Sequence, residues 1–240
     1  MIAGLIKYHL LVLLREPLNL FFGFGLPFLQ LFVMSGSLRG EGSGEMMNGA
    51  LPVFVIIAAM VLCFTDSALS HAYARQIKFL RRLRMTPIKP IHYIFTGIIS
   101  RIGVLILFAA SFIAVTAVFF DMSVEGRNWA LFIAVLLLSF IMFYLIGMFF
   151  ANLLKGAKNS QGIIYVVFFG LLLLGGIMLP VEAMPDVLQT ISNALPPTYA
   201  INVLGFAWNG TNLFYSYYFI AMVVTTVVFG LLSLKFFKFE

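Results

Sequence analysis

The sequence predicts an all-α integral membrane protein of six transmembrane helices, with an N-terminal interfacial helix, short outer helices between spans five and six, and both termini cytoplasmic. Three observations predict it. The 240 residues are 62% hydrophobic and 10% charged, with a mean hydropathy of +1.06. Soluble domains carry about 25% charged residues, so the logic of a water-soluble fold does not apply. Six apolar runs each approach the roughly 20 residues that cross a hydrocarbon core. The basic residues then fall on one side of those runs.

Residues 1–16 come first. Ile2, Leu5, Ile6, Leu10, Leu13 and Leu14 follow helical spacing, with Lys7 and Arg15 on another side. This pattern reads as a helix lying in the inner interface; an extension of the first span is the plain alternative. Glu16-Pro17 breaks it. The spans follow at 18–38, 50–70, 93–120, 129–151, 162–179 and 213–234. With the N-terminus inside, 13 of the 15 Lys and Arg lie at or near the inner face, and only Arg39 and Arg127 lie outside. That is the positive-inside bias, and it accounts for the net charge of +6 without nucleic acid.

Between spans two and three, IKFLRRLRMTPIKP (77–90) is the densest positive stretch. Residues 71–86 read as one helix that leaves the second span, runs in the cytoplasm and ends at Thr86-Pro87. Attraction to anionic headgroups, about 1 kcal/mol per Lys or Arg, explains the charges equally simply. Between spans five and six, residues 180–210 carry Pro180, Pro185, Pro196 and Pro197, with Glu182 and Asp186 near the start. They read as two short outer helices, the first ended by Pro196-Pro197 and the second covering 199–208. RGEGSGEMMNG (39–49) reads as a flexible outer loop.

Chemistry is sparse. No phosphate-binding G-x-x-x-x-G-K-[ST] loop, H-E-x-x-H or G-x-S-x-G occurs, so no catalytic, cofactor-binding or metal site is predicted. Asp66, Ser70 and His71 are near-neighbours on one helix, which is poor grounds for a catalytic triad. His9, His71 and His92 read as interfacial packing or capping residues, and the lone Cys63 as an inert one. The N-terminus does not read as a signal peptide. Two charges lie at membrane depth, Asp66 in span two and Arg101 in span three. An ionised side chain there costs about 2.5–3.5 kcal/mol on insertion scales, so they either pair or snorkel separately to the headgroups. Gln30 is a polar side chain in span one. Gly23, Gly25, Pro27, Gly170, Gly175 and Gly176 suggest close helix approach or kinks.

Three motifs together carry a family resemblance: the interfacial helix ending in Arg15-Glu16-Pro17, the loop Leu80-Arg81-Arg82-Leu83-Arg84-Met85-Thr86-Pro87, and the run Gly175-Gly176-Ile177-Met178-Leu179-Pro180 followed by Met184-Pro185 and Leu195-Pro196. They resemble the permease subunits of type-2 ABC exporters, over essentially the whole chain. The resemblance implies a single permease domain over 1–240 and a second permease copy, identical or a close paralogue. It implies a separate cytoplasmic ATPase that holds the ATP and Mg; this chain holds no cofactor. Residues 1–16 and the 71–92 loop would dock on that ATPase, with Arg81, Arg82 and Arg84 as docking charges and Leu83, Met85 and Pro87 as packing contacts. Thr86 closes the loop helix. Lys7, Arg15 and Glu16 belong to the interfacial helix; Pro180, Glu182, Pro185 and Pro196 belong to the outer helices. The expected setting is a prokaryotic plasma membrane, in contact with lipid, and the expected cargo an amphipathic or hydrophobic drug, antibiotic peptide or lipid-like molecule. An ion-coupled secondary transporter working through Asp66 or Glu182 is the alternative, and a membrane scaffold or immunity protein is a third class.

Overall fold

The computed structural model describes residues 2–15, 20–35, 43–120, 126–154, 157–178, 181–210 and 216–237. Among the described residues every regular element is a helix. Helix α1 (Ile2–Leu14) precedes a π-helical turn (Phe21–Gly25) that runs directly into α2 (Leu26–Ser35). Helix α3 (Ser43–Ala59), a second π-helical turn (Met60–Thr65) and α4 (Asp66–Gln76) form one continuous rod. Then come α5 (Phe79–Leu83), α6 (Pro90–Phe120), α7 (Trp129–Leu153), α8 (Ala157–Leu174), α9 (Asp186–Ser192), α10 (Pro196–Asn209) and α11 (Tyr217–Lys235).

Four helical stretches are long and apolar enough to cross a membrane: Met47–Gln76, Pro90–Phe120, Trp129–Leu153 and Tyr217–Lys235. The protein is therefore membrane-embedded. Phe21–Val33 and Ser160–Leu174 are apolar but shorter. The predicted fifth span ends early. Its helix stops at Leu174, because Gly175 and Gly176 turn the chain; Gly176 has φ +73°. A Cβ on Gly175 would lie 2.7 Å from Pro197 Cβ, so that turn lets the following segment close down on α8.

Two other expectations are corrected. The 71–86 helix is not continuous. It breaks at Ile77-Lys78, where Lys78 adopts the left-handed φ of 57°. A straight helix would carry Leu80 and Leu83 away from the protein; the break turns both into the core. Pro196-Pro197 does not end a helix but begins α10, since proline suits the first turn, where the missing N–H leaves no bond unmade.

The rod and α7 form the centre. Every residue from Phe54 to Ala68 is buried, and α7 packs against α4, the second π-turn, α10 and α11. Helices α6 and α11 line the periphery, with Leu107, Val118, Phe119, Val224 and Leu231 exposed, as lipid-facing residues should be. The rod's Met47–Gln76 stretch is about 45 Å long at 1.5 Å per residue. It exceeds a hydrocarbon core of about 30 Å.

Candidate functional site

The end of the rod next to the basic turn is held by a buried charge pair. Asp66 starts α4, and Arg101 lies three turns into α6. Arg101 Nε donates to Asp66 Oδ2 at 2.5 Å, and Nη2 reaches the same oxygen. Nη2 also donates to Ser70 Oγ at 3.0 Å and Nη1 to the Gly97 carbonyl at 3.0 Å. The guanidinium carbon lies 5.4 Å from the Tyr144 ring centre. Asp66 is 0% and Arg101 1% exposed, so neither snorkels. A pair this dry holds only because the cation's remaining donors are also met. Gly97 makes room for it, since a Cβ there would fall 1.9 Å from Tyr144 Oη. Gly147 does the same on α7, where a Cβ would meet the Phe64 carbonyl at 2.4 Å.

One turn nearer the loop lies an aromatic and histidine cluster. His9 of α1 and His71 of α4 both pack on the Tyr93 ring, with centres 4.7 and 5.6 Å away, and Phe237 closes the cluster at 5.7 Å. His71 Nε2 lies 3.0 Å from Asn152 Oδ1. Arg75 Nη1 donates to the Ala151 and Leu154 carbonyls at 3.0 Å each, which ties α4 to the C-terminus of α7. Neither ring nitrogen of His9 has a hydrogen-bond partner among the described residues. Burial, then the nearby Arg101 and His71 charges, push the His9 pKa down to about 3, so it stays neutral. His92 acts as a cap: the Lys89 N–H donates to its Nδ1 at 3.2 Å.

The basic turn sits on this cluster. Tyr8 stacks on Phe79 with ring centres 4.2 Å apart, which joins α1 to α5. Leu80 and Leu83 anchor α5 from below, and Thr86 Oγ1 closes its end by donating to the Leu83 carbonyl at 2.6 Å. Leu83, expected as a contact for a partner, is 7% exposed and belongs to this protein's own core. Met85 is 90% exposed. Lys78, Arg81, Arg82, Arg84, Pro87 and Lys89 are exposed around it, as are Lys7 and Arg15 on α1. The result is a cationic rim with one apolar tip on a rigid base. Glu16 and Pro180 lie outside the described residues.

The opposite end of the rod is built differently. Trp208 of α10 donates from Nε1 to Asn48 Oδ1 at 3.2 Å, and Arg127 lies over its ring at 4.8 Å. Arg127 Nη1 also donates to the Trp208 carbonyl at 2.8 Å. Pro185 caps the start of α9 and is exposed, as is Glu182, while Pro196 is half-buried at the start of α10. Two cavities open along the rod. One, of about 340 Å³, opens beside the π-turns between Phe22, Val61, Thr65, Gln161, Tyr165 and Phe168. The two π-turns touch there, since a Cβ on Gly23 would meet Leu62 at 2.9 Å. The other, of about 400 Å³, lies under α10 and the Gly175-Gly176 turn.

Sequence reasoning located Asp66, Arg101 and the basic turn. It did not find Tyr93, Tyr144, Asn152 or the Arg75 clamp. Arg75 looked like one more loop cation, and the others looked like ordinary span residues. Only the crossing of α1, α4, α6 and α7 brings them together. A family model described as "ABC-2 type transporter" matches residues 2–206, which takes in α1 through most of α10. No curated protein matches the chain.

Proposed function

The chain belongs to the ABC-2 type transporter family, a family of membrane transport components, and from that premise we propose that it is the permease subunit of an ATP-driven exporter. Its six spans are the four long helices together with the stretches built on α2 and α8, with both termini and the basic turn in the cytoplasm of a prokaryotic plasma membrane. Helix α1 is the interfacial helix. A separate ATPase carries the ATP and Mg. A second permease, the same chain or a close paralogue, completes the assembly.

The observation that carries this reading is the basic turn itself. Its charges project outward while Leu80, Leu83 and Phe79 lock it to α1 and to the cluster around Tyr93. An element pushed at Arg81, Arg82, Arg84, Met85 or Pro87 has a stiff path to the spans. Two routes lead inward, one through Tyr8 and α1 and one through α4. Electrostatic docking sets orientation and rate more than raw affinity. The π-turns offer a place for the spans to move, because such wide turns recur at functional sites and can shift their hydrogen-bond register. The 340 Å³ cavity beside them is mainly apolar, with the buried Thr65 hydroxyl unpartnered among the described residues. It suits a hydrophobic or amphipathic cargo entering from the inner half of the bilayer.

The test is copurification and transport. The tagged chain is expected to bring down a nucleotide-hydrolysing partner, and reversal of Arg81, Arg82 and Arg84 to Glu is expected to release it while the permease stays folded. Vesicles containing the chain alone, moving cargo without ATP, would overturn the reading.

A further inference from the structure

The cavity under α10 carries an acid and no base in its lining. Gln30, Glu182, Thr198 and Asn202 line it, among apolar walls that include Phe54 and Ile177. Gln30 Oε1 is buried and has no hydrogen-bond partner among the described residues. Thr198 Oγ1 already donates its proton to the Ser192 carbonyl at 2.6 Å. Asn202 donates through Nδ2 to the Thr198 carbonyl at 2.8 Å, which leaves its own carbonyl oxygen to offer. Glu182 adds a carboxylate at the exposed edge. None of the lining residues is cationic. The cavity thus holds a carboxylate and several neutral acceptors with no cation in its lining to meet them. A buried acceptor left unmet costs about 1–3 kcal/mol, and such a group in a native structure calls for an explanation.

We propose that this cavity binds the protonated amine head of a single amphipathic molecule, with its chain against Phe54 and Ile177. The inference rests on the exporter reading and narrows the cargo to amphipathic amines. An ammonium group supplies three N–H donors, which matches Glu182, Gln30 and Asn202. An anionic amphiphile would face the Glu182 carboxylate with no cation in the lining to hold it. A bare cation would leave the apolar wall uncovered. The volume of about 400 Å³ falls within the range of about 300–1,000 Å³ usual for small-molecule sites. The Gly175-Gly176 turn makes the space, because it ends α8 early and lets Pro197 close over the top.

The experiment uses the purified chain in phosphatidylcholine nanodiscs and two photoreactive probes, a diazirine-bearing octadecylamine and its N-acetylated, uncharged counterpart. The amine is expected to label the peptide holding Ile177 and Met178 in preference to the amide. Glu182→Gln is expected to lower that labelling roughly tenfold, the scale of one lost charge-assisted contact, and Gln30→Leu to lower it less. Asp186→Asn, which removes a nearby acid outside the lining, is expected to change nothing. An unchanged thermal unfolding midpoint in detergent reports that each variant is folded. Equal labelling by amine and amide overturns the proposal. So does an Asp186→Asn effect as large as that of Glu182→Gln, which would mean attraction to surface charge alone. The readout needs neither ATP nor a partner. Intact labelling without ATP-driven transport would sink the exporter reading and leave the cavity standing; the reverse result would sink the cavity alone.

Discussion

The two ends of the Met47–Gln76 rod differ in how they treat charge. At the end near the basic turn, Arg101 is met by Asp66, Ser70 and the Gly97 carbonyl, and Arg75 by two carbonyls of the α7 end. At the far end, the cavity lined by Gln30 and Glu182 has no cation in its lining, and Gln30 Oε1 has no hydrogen-bond partner among the described residues. The difference teaches what each end is for. A close-packed network that holds each cation by several contacts resists deformation, even with Asp66 Oδ1 and both His9 ring nitrogens unpartnered among the described residues. An under-paired cavity waits for a ligand to complete it.

The sharpest way to break that comparison is to unpair the rigid end. Asp66→Asn or Arg101→Gln each leaves a buried polar group without its partner, at a cost of about 3–5 kcal/mol. The double variant is expected to recover part of the loss, because the two sites share one interaction. Thermal unfolding in detergent measures it. Strict additivity would mean that the pair braces nothing.

A milder perturbation is acid. The His9 pKa is lowered from 6.5 to about 3 in the fold. Between those values the unfolded chain binds more protons than the folded one, so stability falls as pH drops below 6.5 and the loss is complete only near 3. By pH 5 the loss is on the order of 1–2 kcal/mol. His9→Phe, which keeps the ring against Tyr93, is expected to lessen this slope without abolishing it, because His71 is buried in the same cluster. Unfolding midpoints measured at pH 7.5 and 5.0 for both proteins give the answer, and equal slopes would show that His9 is not the titrating group.

The smallest effect concerns the break before α5. Lys78 holds a left-handed φ of 57°, which costs an L-residue roughly 1–2 kcal/mol. Lys78→Gly relieves that cost but frees the unfolded backbone. The net gain is expected to be below about 1 kcal/mol. A clear loss of stability would mean that the Lys78 side chain, and not the burial of Leu80 and Leu83, sets the turn.

Much of this was legible in the chain. The four long apolar helices, the two short helices within 181–210, the N-terminal helix and the basic turn all followed from hydropathy, proline placement and charge. Asp66 and Arg101 stood out because charge at membrane depth is costly. The break at Lys78 was not legible, since Phe79–Leu83 is as helical by composition as what precedes it. Nor was the true end of α8, where two glycines sit inside an apolar run.

The order of apolar runs and the clustering of charge between them are properties of consecutive residues, and the sequence alone determined them. Which residues meet across helices depends on rotation and depth, a matter of a few ångströms that no single helix encodes. Asp66 and Arg101 are 35 positions apart, and the pair forms because glycines at 97 and 147 let three helices approach. The acceptor-lined cavity exists because Gly175 and Gly176 turn the chain under Pro197. Close packing between distant segments decided both, and it becomes visible only once the helices are in place.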